Sequence, residues 1–254
     1  MLKLIKHDLV DNKYSLSLSL KREEGGKEEE GGKEEEGGKE EEGGKEEEED
    51  TNIIFLKSIH ESCLLSGSSI QGNTISFYAS SIQTLKDYCF TPFSISNAER
   101  CRKKCSYNTA IHLVCSLSKQ QQYLEHYGYS FYGIHLSDIL VIDGCRFVNI
   151  NFEMCKEIDL VSSSITLYSP FTRSELCFFS PEMLASRHLP ASLHYKTYYY
   201  SLGLLSLYCL FGECVDCVDC VIVDILKPIV GTKLYFFILR MLETNPEDRR
   251  MIFV

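Results

Sequence analysis

The run at 198–211 carries no charged side chain and is apolar around its whole circumference. It is too short for the roughly 20 residues that cross a bilayer, so as a helix it has to be surrounded by other protein elements. A chain of 254 residues with 44% apolar content can supply that surround, as one domain or two small ones. The formal charge of −10 says little about this body, because residues 23–50 hold 15 Glu and one Asp against four Lys. That segment is net −12 and the remainder is +2, which gives no basic face for nucleic acid. Lys3, Lys6, His7 and Asp8 interrupt any apolar leader in the first twenty residues. The expectation is an intracellular, cytoplasmic protein with no membrane and no nucleic-acid partner. Twelve Cys are scattered through apolar segments, which fits reduced core thiols better than a disulfide framework.

Within 23–50, Gly-Gly-Lys recurs from Gly25, Gly31, Gly37 and Gly43 with Glu runs between, a period too short for a solenoid unit. Glu repulsion and Gly freedom leave nothing to bury, so a disordered acidic insert is expected. Before it, 14–20 alternates Ser and Leu with the period of a strand. After it, Ile53, Ile54, Leu56 and Ile59 predict a short helix, and strands are expected near 63–65 and 74–78 around a Gly72-Asn73 turn. From about residue 82 the pattern becomes helical. Ser96 and Glu99 have capping-box spacing, and Cys101, Cys105, Ile111 and Cys115 share one stripe of a long helix running towards His126. Apolar runs at 139–142 and 147–150 flank Asp143-Gly144, a hairpin signal. An irregular stretch at 153–179 and helices at 199–211 and 233–242 complete the reading.

Five segments in this order resemble a protein kinase of the eukaryotic Ser/Thr type. Residues 123–129 resemble the end of the family's long helix, and Asp138-Ile139-Leu140-Val141 resembles the end of its catalytic loop. Ser180-Pro181-Glu182 stands for Ala-Pro-Glu, Ser201-Leu202-Gly203 falls in the buried helix, and 245–249 reads Asn-Pro-Glu-Asp-Arg as the family does near its C-terminus. The resemblance implies an α+β, bilobal kinase-like fold. It has residual N-lobe strands at 1–22, the insert at 23–50, the rest of a reduced N-lobe at 51–81 and a mainly helical C-lobe at 82–254.

Phosphoryl transfer needs a carboxylate for the attacking hydroxyl, a phosphate cradle and a Mg²⁺ clamp. By the resemblance, Gly133 stands where the catalytic Asp belongs, His135 for the loop Lys, Asp138 for the metal-binding Asn and Asn151 for the metal-binding Asp of Asp-Phe-Gly. The catalytic set is therefore degenerate. Lys21 resembles the strand Lys that grips phosphates, its helix partner Glu is replaced by Asn52, and no Gly-rich loop precedes it. Lys21 and Asp138 remain as candidate nucleotide contacts. No cofactor is expected; ATP with Mg²⁺ is the one left open, and Asn151-Phe152-Glu153 weakens it by removing a charged metal ligand. Glu182 and Arg249 match a structural ion pair of the family, and Tyr198 replaces an Asp that braces the catalytic loop.

The implied function is a pseudokinase that binds a protein partner as scaffold or allosteric subunit. One alternative is an unorthodox active kinase using Asp138 or Glu153, and another is a decayed kinase remnant. Cys214, Cys217 and Cys220 have metal-ligand spacing, with Cys209 as a fourth candidate, but no second motif accompanies them and no metal is expected.

Overall fold

The computed structural model describes residues 2–7, 12–18, 43–63, 68–90, 104–171, 177–212 and 219–251. These residues form a mixed fold of helices and short antiparallel strands. β1 (Leu2–Lys6) pairs with β2 (Lys13–Leu18), and α1 (Gly43–Cys63) follows. β3 (Ser69–Gln71) and β4 (Thr74–Tyr78) close a four-stranded sheet of order β1-β2-β4-β3. Leu16 of β2 lies opposite Ile75 of β4, both fully buried, so the Ser-Leu alternation does place its Leu side on a core.

β5 (Ile82–Thr84) leads into α2 (Leu85–Cys89), and after the next described residues comes α3 (Tyr107–His126). α3 buries Ala110, Leu113, Val114, Leu117, Gln121 and Leu124, a helical stripe facing α1 on one side and α5 on the other. Short strands β6 (Tyr129–Phe131) and β7 (Ile134–His135) precede the hairpin β8 (Ile139–Ile142) and β9 (Arg146–Asn149). The hairpin turn puts Asp143 and Gly144 at φ 52° and 71°, the left-handed conformations that Asp-Gly tolerates. Then come β10 (Cys155–Glu157), β11 (Ser164–Leu167), β12 (Cys177–Phe178), α4 (Pro181–Ala185), β13 (Ala191–His194), α5 (Thr197–Phe211), α6 (Asp219–Leu226) and α7 (Lys233–Met241). α5 is buried on every side as its composition requires. No helix among the described residues is long and apolar enough to cross a membrane.

Several expectations shift. α1 starts at Gly43, inside the segment expected to be disordered, because Glu and Lys are good helix formers and a helix anchored by buried Phe55, Leu56 and Ile59 can propagate backwards. Of the strand expected at 63–65, Cys63 belongs to α1 and 64–65 lie outside the described residues, while β3 follows at Ser69–Gln71. The long helix begins ten residues beyond the sequence capping box: Ser106 is its N-cap, its hydroxyl accepting from Thr109 N at 3.1 Å. Cys105 therefore precedes the helix, while Ser96, Glu99 and Cys101 lie outside the described residues. The stretch at 153–179 is not wholly irregular, because β10 pairs with β6, β11 with β13 and β12 with β7. Strands of two to four residues have too little pattern to be read without their partners.

Ser106→Ala is expected to lower stability by about 1 kcal/mol through loss of this cap, measured by urea unfolding.

Candidate functional site

The region of the degenerate residues is positioned by two adjacent glutamines on α3. Gln120 pairs with the backbone of Asn149 as a strand would, donating from Nε2 to its carbonyl at 2.8 Å and accepting from its N–H at 2.9 Å. Gln121 accepts from Phe131 N at 3.3 Å and donates from Nε2 to Ser130 Oγ at 2.7 Å. Both side chains are fully buried, so these contacts are obligatory as well as directional. They fix the ends of β9 and β6, from which Asn151 and Gly133 follow. Gln121 also donates to Glu125, whose other oxygen accepts from Tyr199 OH at 2.8 Å, and burial still pushes the Glu125 carboxyl up.

A cavity of about 300 Å³ opens between these segments, lined among others by Tyr132, His135, Asp138, Asn151, Glu153 and Phe171. Three of the four degenerate positions, His135, Asp138 and Asn151, thus share one wall. Asp138 sits in a short 3-10 turn, and its Oδ2 accepts from Asn151 Nδ2 at 2.6 Å. A carboxylate has no proton to give, so the amide nitrogen must face it. His135 accepts at Nδ1 from Ser137 N at 3.1 Å, which turns the ring edge along the turn. The Tyr132 phenol is pushed up by burial, then by the negative charges of Glu153 and Asp138, which places all three in one electrostatic neighbourhood.

Gly133 does not line the cavity. A Cβ built there would lie 2.7 Å from Phe179 Cε1 and 2.8 Å from Cδ1. The Phe179 ring is itself buried and meets Phe171 edge-on at 4.9 Å between centroids, so it is held from the far side. Any side chain at 133 has to displace a packed aromatic.

Arg249 is 0% exposed and makes the densest polar network of the described residues around one guanidinium. Nη1 and Nη2 hold the two oxygens of Glu182 at 2.5 and 2.9 Å in a bidentate pair. Nε donates to Glu243 O at 2.8 Å, Nη2 to Thr244 O at 3.1 Å and Nη1 to Lys196 O at 3.4 Å, over the Tyr200 ring at 4.9 Å. Burial opposes ionisation of Glu182, but the hydrogen bonds and charge of Arg249 outweigh it and hold the carboxyl below its ordinary range.

Other sequence candidates fall differently. Lys21, Cys214 and Cys217 lie outside the described residues. Asn52 is buried on α1, and neither its amide nitrogen nor its oxygen has a hydrogen-bond partner among the described residues. Tyr198 is fully buried with its ring 5.3 Å from that of Phe131, so an aromatic contact stands where a bracing carboxylate was absent. Phe131 meets Phe55 of α1 edge-on at 5.9 Å, and Phe55 meets Phe152 at 5.2 Å. Sequence reasoning passed over Gln120, Gln121, Phe171 and Phe179. A polar pair at the buried positions of an amphipathic helix was the one signal available for the glutamines, whereas the phenylalanines reach the site only through the fold.

The structure is similar to that of ROP2 from Toxoplasma gondii, a virulence factor with a protein-kinase fold and no enzymatic activity. The identity is 19%, covering 56% of this chain and 39% of that one, with a TM-score of 0.44. The match thus spans well under half of that protein's length. No family model and no curated protein matches the chain.

Gly133→Asp is expected to destabilise the protein by about 1–3 kcal/mol through overpacking, and Phe179→Ala in the same chain to make that substitution cost less, as a double-mutant cycle would register. Glu182→Ala should cost on the order of 3 kcal/mol, since it strands a buried guanidinium. Because the folded pKa of Glu182 is depressed, its contribution is complete above the unfolded value and is lost as pH falls through the folded one. Acid unfolding of Glu182→Gln, followed by circular dichroism, should accordingly show a shallower pH dependence than the parent chain.

Proposed function

We propose that the chain is a protein-kinase-like domain that has lost phosphoryl transfer and works by binding a protein partner, as scaffold or allosteric subunit. The observation that carries this reading is the Phe179 ring occupying the space into which a side chain at Gly133 would project. A kinase needs a carboxylate there to orient the substrate hydroxyl, and here the volume belongs to a packed aromatic. The metal clamp fails on a second count. Hard divalent cations take carboxylate oxygens. Asp138 Oδ2 already accepts from Asn151 Nδ2, and Asn151 adds no charge of its own. This donor set does not fit Mg²⁺ with a nucleotide.

What remains supports a binding role. The aromatic contacts from Phe55 to Tyr198 and the Arg249–Glu182 pair keep the scaffold around the cavity in register. Between Asn151 and Glu182, Leu160, Val161 and Tyr168 are 78%, 97% and 77% exposed, apolar groups left in water where a partner could cover them. A second reading rests on the cavity's two carboxylates. Asp138 and Glu153 both face Tyr132, and an unorthodox kinase would use one of them in place of the missing base.

Incubation of the full chain with radiolabelled ATP and Mg²⁺ should give no transfer to itself or to a general acceptor protein, and thermal melting should not shift with the nucleotide. Mg²⁺-dependent autophosphorylation that Asp138→Ala abolishes would sink the proposal in favour of the second reading. On the binding side, Leu160→Ser with Val161→Ser should weaken association with a purified partner on the order of tenfold or more.

A further inference from the structure

Three cysteines that are far apart in the sequence meet at one point of the core. Cys89 ends α2, Cys105 lies in the approach to α3, and Cys209 sits in the last turn of α5. Their Sγ atoms all lie within 4.8 Å of one another, and the residues are 3%, 7% and 1% exposed. All three are reduced thiols. The backbone holds two of them together, because Cys105 N donates to Cys209 O at 2.8 Å.

One buried cysteine per segment is ordinary, since the thiol packs as a small apolar group. Three in mutual contact, each from a different element, form a donor set. A tetrahedral Zn²⁺ with Zn–S bonds of about 2.3 Å places its sulfurs about 3.8 Å apart, so the cluster has at most about 1 Å to close. It contains no carboxylate and no imidazole, which disfavours Mg²⁺ or Ca²⁺ and suits a thiophilic ion. The thiols meet one another directly, with Cys209 hydrogen-bonded to both Cys105 and Cys89. A cation would displace the thiol protons.

We propose that Cys89, Cys105 and Cys209 form a three-thiolate site for Zn²⁺, with a water as fourth ligand, that staples α2 and the approach to α3 onto the buried helix α5. Three Cys–SH and one hydrated Zn²⁺ give one tris-thiolate zinc centre and release three protons to solvent. The proposed ligand set leaves out Cys214, Cys217 and Cys220, and it does not depend on whether the chain transfers phosphate.

The test uses the full chain, reduced and stripped with a chelator, with Co²⁺ as the spectroscopic probe. Titration should bring up a thiolate-to-cobalt charge-transfer band that saturates at about one equivalent per chain and is displaced by Zn²⁺. Cys89→Ala, Cys105→Ala and Cys209→Ala should each weaken binding by at least about tenfold, whereas the combined Cys214→Ala, Cys217→Ala and Cys220→Ala chain keeps the band. If an Ala variant loses its fold by circular dichroism, alkylation of the unaltered chain decides the matter. Zn²⁺ should then protect these three thiols selectively, as mapped by peptide mass spectrometry. A folded chain that gives no charge-transfer band, a band that survives Cys209→Ala, or alkylation of the three thiols that Zn²⁺ leaves unchanged overturns the proposal.

Discussion

A guanidinium cannot be taken out of water unless its charge and its N–H groups are met, and Arg249 is buried completely. The fold answers with one bidentate carboxylate from α4, one carbonyl ahead of α5 and two carbonyls after α7. The partners come from three stretches of chain, so a single side chain sets the mutual positions of three helices. The Tyr200 ring closes the remaining face. Leaving any of these contacts unmade costs more than making it contributes, which is why the network specifies a geometry as well as a stability.

From α5 the constraint passes inward through aromatic contacts. Tyr198 leans on Phe131, Phe131 on Phe55 of α1, and Phe55 on Phe152 at the rim of the cavity. Gln120 and Gln121 clamp the backbone on either side of that line. These contacts frame the cavity, where the Asn151 amide donates to the Asp138 carboxylate and the Phe179 ring packs beside Gly133.

The parts of this arrangement that follow from local pattern could be read in advance. The alternating strand ending at Leu18, the Asp143-Gly144 hairpin and the helices α5 and α7 each carry their own periodicity or turn chemistry within a few residues. The start of α3 could not, because the capping-box spacing pointed to Ser96, whereas Ser106 is the N-cap of α3. The two-residue strands β7 and β12 exist only through each other, as Ile134 faces Phe178. At the site, that Gly133, His135, Asp138 and Asn151 lie within one short stretch of chain was legible in the sequence. That Asn151 would donate to Asp138 and that Phe179 would stand over Gly133 was not.

By itself the sequence determined which residue types are available: a charge-free run that must be buried, a hexad repeat with nothing to bury, and twelve thiols scattered through apolar segments. These are properties of composition and spacing, and they hold in any conformation. Only the tertiary structure decided which groups meet, whether Glu182 with Arg249, Phe179 with Gly133 or the three thiols of Cys89, Cys105 and Cys209. Each of these contacts joins residues from different elements of the fold, and such proximity comes from how the whole core packs, which no local pattern encodes.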